Sequence, residues 1–213
     1  MVTTIIFDLD GTLIDTLQDL TDSANYALRL HGLPERSAAD VRKFLGNGYA
    51  RLMADCAGDV PEETAKRLLA DFNAYYTLHC QDQTLPYPGI IEMLRELKGR
   101  GMRLGIVSNK GDAAVQELVG RFFSGLIDTA VGEREGIRRK PYPDTVLAAL
   151  KVLGSKAEES IYVGDSEVDI ETAKRAGMAC VTCLWGFRDA DFLLTHGATR
   201  TISSPEELLT ATD

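Results

Sequence analysis

From about residue 89 onward, short apolar runs alternate with segments of helical periodicity, and this alternation limits most sharply the folds open to the chain. Residues 89–101 place Ile91, Leu94 and Leu97 at helical spacing, and residues 102–107 are an apolar run that predicts a strand. A helix is predicted at 111–119, a strand at 126–131, a helix at 143–153, a strand at 160–163 and a helix at 167–176. Strands at 178–183 and 198–202 and a terminal helix at 205–211 complete the pattern. Strands separated by helices build parallel βαβ units with right-handed crossovers, which makes the fold class α/β. One further strand, residues 2–7, opens the chain, and no strand pattern appears between about residues 13 and 85. That interval instead shows helical spacing at 16–30, 37–44, 49–57 and 61–79. The expected organisation is a Rossmann-like parallel-sheet core domain, residues 1–14 and 85–213, with an all-helical domain, residues 15–84, inserted after the first strand.

Charge narrows the partners. The 213 residues include 23 Lys and Arg against 32 Asp and Glu, a formal net charge of −9. This balance argues against a nucleic-acid partner, which calls for a basic face. No stretch approaches the roughly 18 apolar residues of a membrane span, and Asp8 and Asp10 interrupt the first apolar run, which also lacks the basic start of a signal peptide. Cys56, Cys80, Cys180 and Cys183 are expected to be reduced: a chain of this length needs no disulfide staples. Cys180 and Cys183 form a C-x-x-C inside a strand-like run, without the second ligand pair a zinc site requires. The expectation is a cytoplasmic monomer or homodimer.

Polar residues gather directly after four of the predicted strands. Asp8 and Asp10 follow the first, Ser108 the second, Lys140 lies in the loop beyond the third, and Asp165 and Asp169 follow the fourth. In an open parallel sheet the carboxyl ends of the strands face one crevice, so residues far apart in sequence can converge there. Carboxylates suit Mg²⁺, and a carboxylate can itself attack phosphorus. A lysine neutralises phosphate oxygens, and phosphoryl transfer needs mainly positioning and charge neutralisation.

The segments Asp8-Leu9-Asp10-Gly11-Thr12, Ser108-Asn109, Lys140-Pro141 and Gly164-Asp165-Ser166-Glu167-Val168-Asp169 match, in order, the four motifs of the haloacid dehalogenase (HAD) superfamily. The chain resembles that superfamily over its whole α/β part, and its helical insertion sits where the type 1 cap sits. The resemblance implies a Mg²⁺-dependent phosphatase acting on a small phosphomonoester. It makes Asp8 the nucleophile and Asp10 the acid that protonates the leaving alcohol and later activates water. It gives Mg²⁺ the Asp8 side chain, the Asp10 carbonyl and Asp165, with Asp169 assisting directly or through water. Ser108 and the backbone N–H of Asn109 hold the phosphoryl oxygens, and Lys140 lies between nucleophile and phosphate. Asp10 favours phosphoesters over halides, because an alkoxide needs a proton and a halide does not. Residues 44–53 with their Gly-Asn-Gly, together with 163–166 and 185–188, are similar to phosphoglycolate phosphatases. A pyrophosphatase, a β-phosphoglucomutase or a nucleotidase of the same build remains open, as does a phospho-accepting signalling module.

Several residues carry plainer readings beside these. Ser108-Asn109 also reads as a helix N-cap, which is compatible with holding phosphate. The i, i+4 spacing of Asp165 and Asp169 places both on one helical face. Glu167, Arg138 and Arg139 read as solvent-facing, Arg51 as a surface arginine or a carboxylate contact, and Trp185 as core or a wall of the site. The inserted domain is expected to open and close over the crevice.

Overall fold

The computed structural model describes residues 2–211; the outermost ends of the expected core domain, residue 1 and residues 212–213, lie outside the described residues. Two compact units divide the chain: Met1–Ile14 with Pro86–Asp213, and Asp15–Leu85.

The first unit is an α/β fold. Its strands are β1 (Thr4–Phe7), β4 (Arg103–Gly111), β5 (Thr129–Glu133), β6 (Ser160–Gly164), β7 (Ala179–Cys183) and β8 (Thr201–Ile202). They form one sheet in the order β5-β4-β1-β6-β7-β8, every pair parallel. Its helices are α5 (Ile90–Gly99), α6 (Asp112–Phe122), α7 (Asp144–Leu153), α8 (Glu167–Ala176), α9 (Ala190–Thr195) and α10 (Glu207–Ala211). The two-residue β2 (Ile14–Asp15) and β3 (Leu85–Pro86) pair with each other where the chain passes between units. They correct the expectation of no strand between 13 and 85; two-residue strands leave no periodicity to read. Helix α9 also had no counterpart in the sequence pattern.

Period-two alternation in β1 explains why the sheet is covered on both faces. Ile5 and Phe7 join a core with Ile90, Leu94, Leu97, Val115 and Leu118, from α5 and α6. Ile6 points the other way, into a core with Val146, Ala149, Leu150 and Ala173, from α7 and α8. Ile5, Ile6 and Phe7 have no exposed surface, and burial stabilises each by about 1.5–3 kcal/mol. That anchorage fixes the strand beside which the polar turn must sit.

Strand order then places the crevice. From β1 the chain builds outward to β4 and β5, then returns to the other side of β1 for β6, β7 and β8. The order reverses beside β1, the position where open parallel sheets bind ligands. Phe7 lies opposite both Ile106 and Val163, so the residues that follow these three strands emerge at one edge.

The second unit holds α1 (Leu17–Leu30), α2 (Ala38–Phe44), α3 (Tyr49–Ala57) and α4 (Glu62–His79). Leu20, Ala24, Ala27 and Leu28 form the buried stripe of α1, which packs on α4. Ser37 caps α2 by accepting the Asp40 N–H. Asp19, 3% exposed, accepts the Thr84 N–H and hydroxyl at 2.9 and 2.7 Å, and the Gln83 N–H at 2.9 Å. One buried carboxylate thus fixes the backbone at the end of this unit. Among the described residues no helix is long and apolar enough to cross a membrane.

Candidate active site

β1 ends at Phe7, and the chain turns at once: Gly11 donates its N–H to Ile14 and takes φ +82°, a value suited to glycine. The turn sets Asp8 at the sheet edge, 8% exposed, with its N–H bonded to the Val163 carbonyl at 2.8 Å.

Lys140 is the hub. Its Nζ lies 2.8 Å from Asp8 Oδ1 and 2.8 Å from Asp169 Oδ1, and donates to the Tyr162 hydroxyl at 3.2 Å. Asn109 fixes the Lys140 backbone: its side-chain oxygen accepts the Lys140 N–H at 2.8 Å, and its amide donates to the Lys140 carbonyl at 3.1 Å. Burial works against the charge on Lys140, but the Asp169 and Asp8 carboxylates outweigh it and hold the ammonium charged.

Asp165 and Asp169 meet by a different route from the one their spacing predicts. Asp165 precedes α8, and Ser166 is its N-cap, so the two are not on one helical face. Asp169 is the third helical residue and closes a capping box, accepting the Ser166 N–H and hydroxyl at Oδ2. Its Oδ1 accepts from Lys140 and, at 2.9 Å, from the Tyr162 hydroxyl. Four donors therefore fill the roughly four acceptor positions of a carboxylate. Asp165 accepts the Phe187 N–H at 2.7 Å and the Thr12 hydroxyl at 3.3 Å. The backbone at Gly186 passes so close that a Cβ there would run into the Asp165 side chain.

β4 continues past Val107, where sequence periodicity ends it. Between Val107 and Gly111 its register against β5 shifts: Val107 faces Val131 and Gly111 faces Glu133. Ser108, Asn109 and Lys110 are buried in succession, at 2, 6 and 1% exposure, as are residues 104–107 before them, in a strand covered on both faces. The N-cap of α6 is Gly111 rather than Ser108, whose hydroxyl accepts the Lys110 N–H at 3.1 Å. Lys110 reaches Asp10, with Nζ 2.8 Å from Oδ1.

The seven residues predicted from sequence all belong to the same unit. Asp8, Lys140, Asn109 and Asp169 are joined by direct bonds, and Asp165 stands beside Asp8 and Asp169. Asp10 and Ser108 are tied to Lys110, which sequence reasoning passed over, as it did Tyr162 and Thr12. The signals available were a lysine next to Ser108-Asn109 and a tyrosine in an otherwise aliphatic strand. Glu167 is not idle in solvent: it pairs with the nearly buried Arg188 at 2.9 Å. Arg138 and Arg51 are exposed and pair with Asp144 and Asp55. Trp185 packs against the core and donates Nε1–H to the Thr12 carbonyl. The four cysteines are thiols, none of them in a disulfide among the described residues.

The donor set fits a hard divalent cation. Oxygens of the buried Asp8, Asp165 and Asp169 lie within 4.8 Å of one another. Four carboxylates (Asp8, Asp10, Asp165, Asp169) against two ammonium groups (Lys110, Lys140) leave two negative charges. In the bare protein, burial and the nearby Asp169 charge push Asp165 up to about 7 and Asp8 well above the usual carboxylate range. Carboxylates that hold protons this strongly are short of a cation.

An open parallel sheet with carboxylates and buried lysines gathered at its switch point defines an α/β enzyme of the phosphoryl-transfer type. Residues 5–183 match the family described as Haloacid dehalogenase-like hydrolase, and the chain belongs to that family. It is 35% identical over 184 residues to a phosphoglycolate phosphatase of Aquifex aeolicus, covering 86% of this chain and 85% of the relative. It is 34% identical to a phosphoglycolate phosphatase of Mesorhizobium japonicum, covering 97 and 96%. A protein of solved structure from Lactobacillus delbrueckii subsp. bulgaricus superposes with a TM-score of 0.92 at 38% identity, covering 99 and 98%.

Proposed function

We propose that the protein is a Mg²⁺-dependent phosphatase that converts 2-phosphoglycolate to glycolate and phosphate. The reading rests on Lys140, which binds Asp8 and Asp169 with one buried ammonium, and on relatives that carry that activity in their names. Asp8 attacks phosphorus as the bond to the glycolate oxygen breaks, and that oxygen takes a proton from Asp10. Asp10, now ionised, removes a proton from a water that attacks the phosphorus of the aspartyl-phosphate, freeing phosphate and restoring Asp8. The Ser108 hydroxyl and the Asn109 N–H hold the phosphoryl oxygens, and Lys140 offsets their charge. Asp8, Asp165 and the Asp10 carbonyl would hold Mg²⁺, with Asp169, whose acceptor positions are taken up within the protein, orienting Lys140. Mg²⁺, when bound, supplies positive charge against the phosphoryl oxygens and the nucleophile. Residues 15–84 are the cap domain that selects substrate. Cysteines held as thiols and the acidic balance support a cytoplasmic enzyme that acts without nucleic acid, as a monomer or homodimer.

A panel of 2-phosphoglycolate, pyrophosphate, sugar phosphates and nucleotides with Mg²⁺ tests this. The greatest kcat/KM is expected for 2-phosphoglycolate; a greater value for pyrophosphate or a sugar phosphate assigns the protein to that substrate instead.

Removal of the metal makes a second prediction. Asp165 is raised above its unfolded value, so its contribution to stability is full below about pH 4 and is lost as pH rises through about 7; Asp8, raised in the same direction, acts in the same sense. Chelated protein should therefore weaken by a few kcal/mol between about pH 4 and 8. Mg²⁺, which replaces those protons, should raise Tm much more at pH 8 than at pH 5. Equal increments at the two pH values would count against a carboxylate-bound ion.

A further inference from the structure

Lys110 is a second buried ammonium, and the reaction above gives it no task. Its side chain is fully enclosed, yet it ends 2.8 Å from Oδ1 of Asp10, whose side chain is 20% exposed. Enclosing an ammonium is unfavourable unless it finds an anion, and Asp10 supplies one. Asp10 needs the lysine in turn. The turn fixes the Asp10 backbone through its bridge to Ile14 and the Gly11–Ile14 hydrogen bond. Nothing in that turn fixes the side-chain rotamer of a partly exposed carboxylate, which otherwise samples several.

The end of β4 delivers the lysine. Alternation along a strand covered on both faces sets Lys110 on the same side as Ser108, and Asn109 on the other, all three buried. The register against β5 shifts between Val107 and Gly111, and the Ser108 hydroxyl accepts the Lys110 N–H. Gly132 permits this path: a Cβ there would strike the Lys110 carbonyl and the Asp112 backbone. One strand end thus supplies Ser108 for phosphate, Asn109 to fix Lys140, and Lys110 for Asp10.

The geometry assigns Lys110 as the positioning residue that anchors Oδ1 of Asp10, so that Oδ2 faces the leaving-group oxygen. This rests on Asp10 being the acid and base of the phosphatase reaction. The anchor suits both halves of that role. Oδ1 accepts from Lys110 whether the carboxyl is ionised or protonated, so the hydrogen bond persists while the proton moves at Oδ2. In the first half-reaction the phosphorus–oxygen bond breaks, its electron pair goes to the leaving oxygen, and that oxygen takes the Oδ2 proton. In the second, water gives a proton back to Oδ2 as its oxygen bonds to phosphorus and the bond from phosphorus to Asp8 breaks, its electron pair returning to the Asp8 carboxylate.

Leaving groups separate this role from simple packing. An alkoxide needs the proton, whereas p-nitrophenolate leaves with little help. Lys110→Met keeps the length of the side chain and removes the ammonium; Lys110→Gln keeps a donor and is read in its place if the Met variant does not fold. The measurement is the single-turnover rate of alcohol release, with KM and Tm alongside, for 2-phosphoglycolate and p-nitrophenyl phosphate. Lys110→Met is expected to slow release from 2-phosphoglycolate by about 10²-fold, with KM little changed, and from p-nitrophenyl phosphate by no more than about tenfold. Lys110→Gln is expected to recover part of the difference. Equal losses on both substrates, or no loss, would overturn the positioning role while leaving the phosphatase reading intact. Failure of the unaltered enzyme to release alcohol from either ester would instead refute that reading.

Discussion

Asp8→Asn is expected to lower phosphatase turnover by about 10⁴-fold or more while the protein unfolds at an unchanged or higher temperature. The two effects have separate origins. Asparagine has nearly the shape of aspartate but no anionic oxygen, so it cannot form the acyl-phosphate bond. Its amide can still occupy the space at the end of β1, where Asp8 is 8% exposed and its backbone N–H is held by Val163. Stability gains because the Asp8 carboxyl is held well above the ordinary carboxylate range by burial, then by Asp169 and Asp165. Removing a charge so placed relieves more repulsion than is lost with the Lys140 ion pair. Lys140 retains Asp169 and Tyr162 as partners. The measurements are kcat with 2-phosphoglycolate and thermal unfolding at pH 8. A variant with near-full turnover would exclude Asp8 as the nucleophile; one with a collapsed Tm would show that the carboxylate holds the strand end together.

The sheet was legible because its strands are apolar runs that stop at aspartate, serine or glycine. Burial on both faces dictates such runs in a parallel sheet. The same stops marked Asp8, Asp10 and Asp165, since the polar residues begin where the packed strand ends, whereas Ser108 marks the end of an apolar run inside β4. Contacts without a sequence period were not legible. The reading that Asp165 and Asp169 share a helical face fails because Ser166 caps α8 after Asp165; the pair meets through the turn of the capping box. Lys110 was passed over because alternation ends β4 at Val107, and a register shift is a property of two strands rather than one. Tyr162 reads as core and is core, yet its hydroxyl reaches two charged groups more than six residues away. Glu167 and Arg188 are 21 residues apart, and only the return of the chain after β7 joins them.

Lys140→Met should destabilise the protein by about 3–5 kcal/mol at pH 8, besides abolishing turnover. Methionine fills a similar volume, so the loss is electrostatic. Asp169 keeps Tyr162 and Ser166 as donors, but it and Asp8 lose the one cation between them. Two buried carboxylates without that cation repel each other, and Asp8, already raised, is driven further toward its protonated form. The sign of the pH dependence follows. A carboxyl whose folded pKa is raised stabilises the fold only while it is protonated, so the deficit should grow as pH rises and shrink toward pH 5. Denaturant unfolding of both proteins at pH 5 and pH 8 measures this. The same experiment with Asp8→Asn as the parent completes a double-mutant cycle. With one of the two carboxylates already neutral, adding Lys140→Met should cost less than it does in the unaltered chain. A deficit independent of pH and identical in both parents would mean that Lys140 holds the loop by packing alone. A deficit that falls in both tests ties the stability of this edge of the sheet to the same charge balance that the proposed reaction uses.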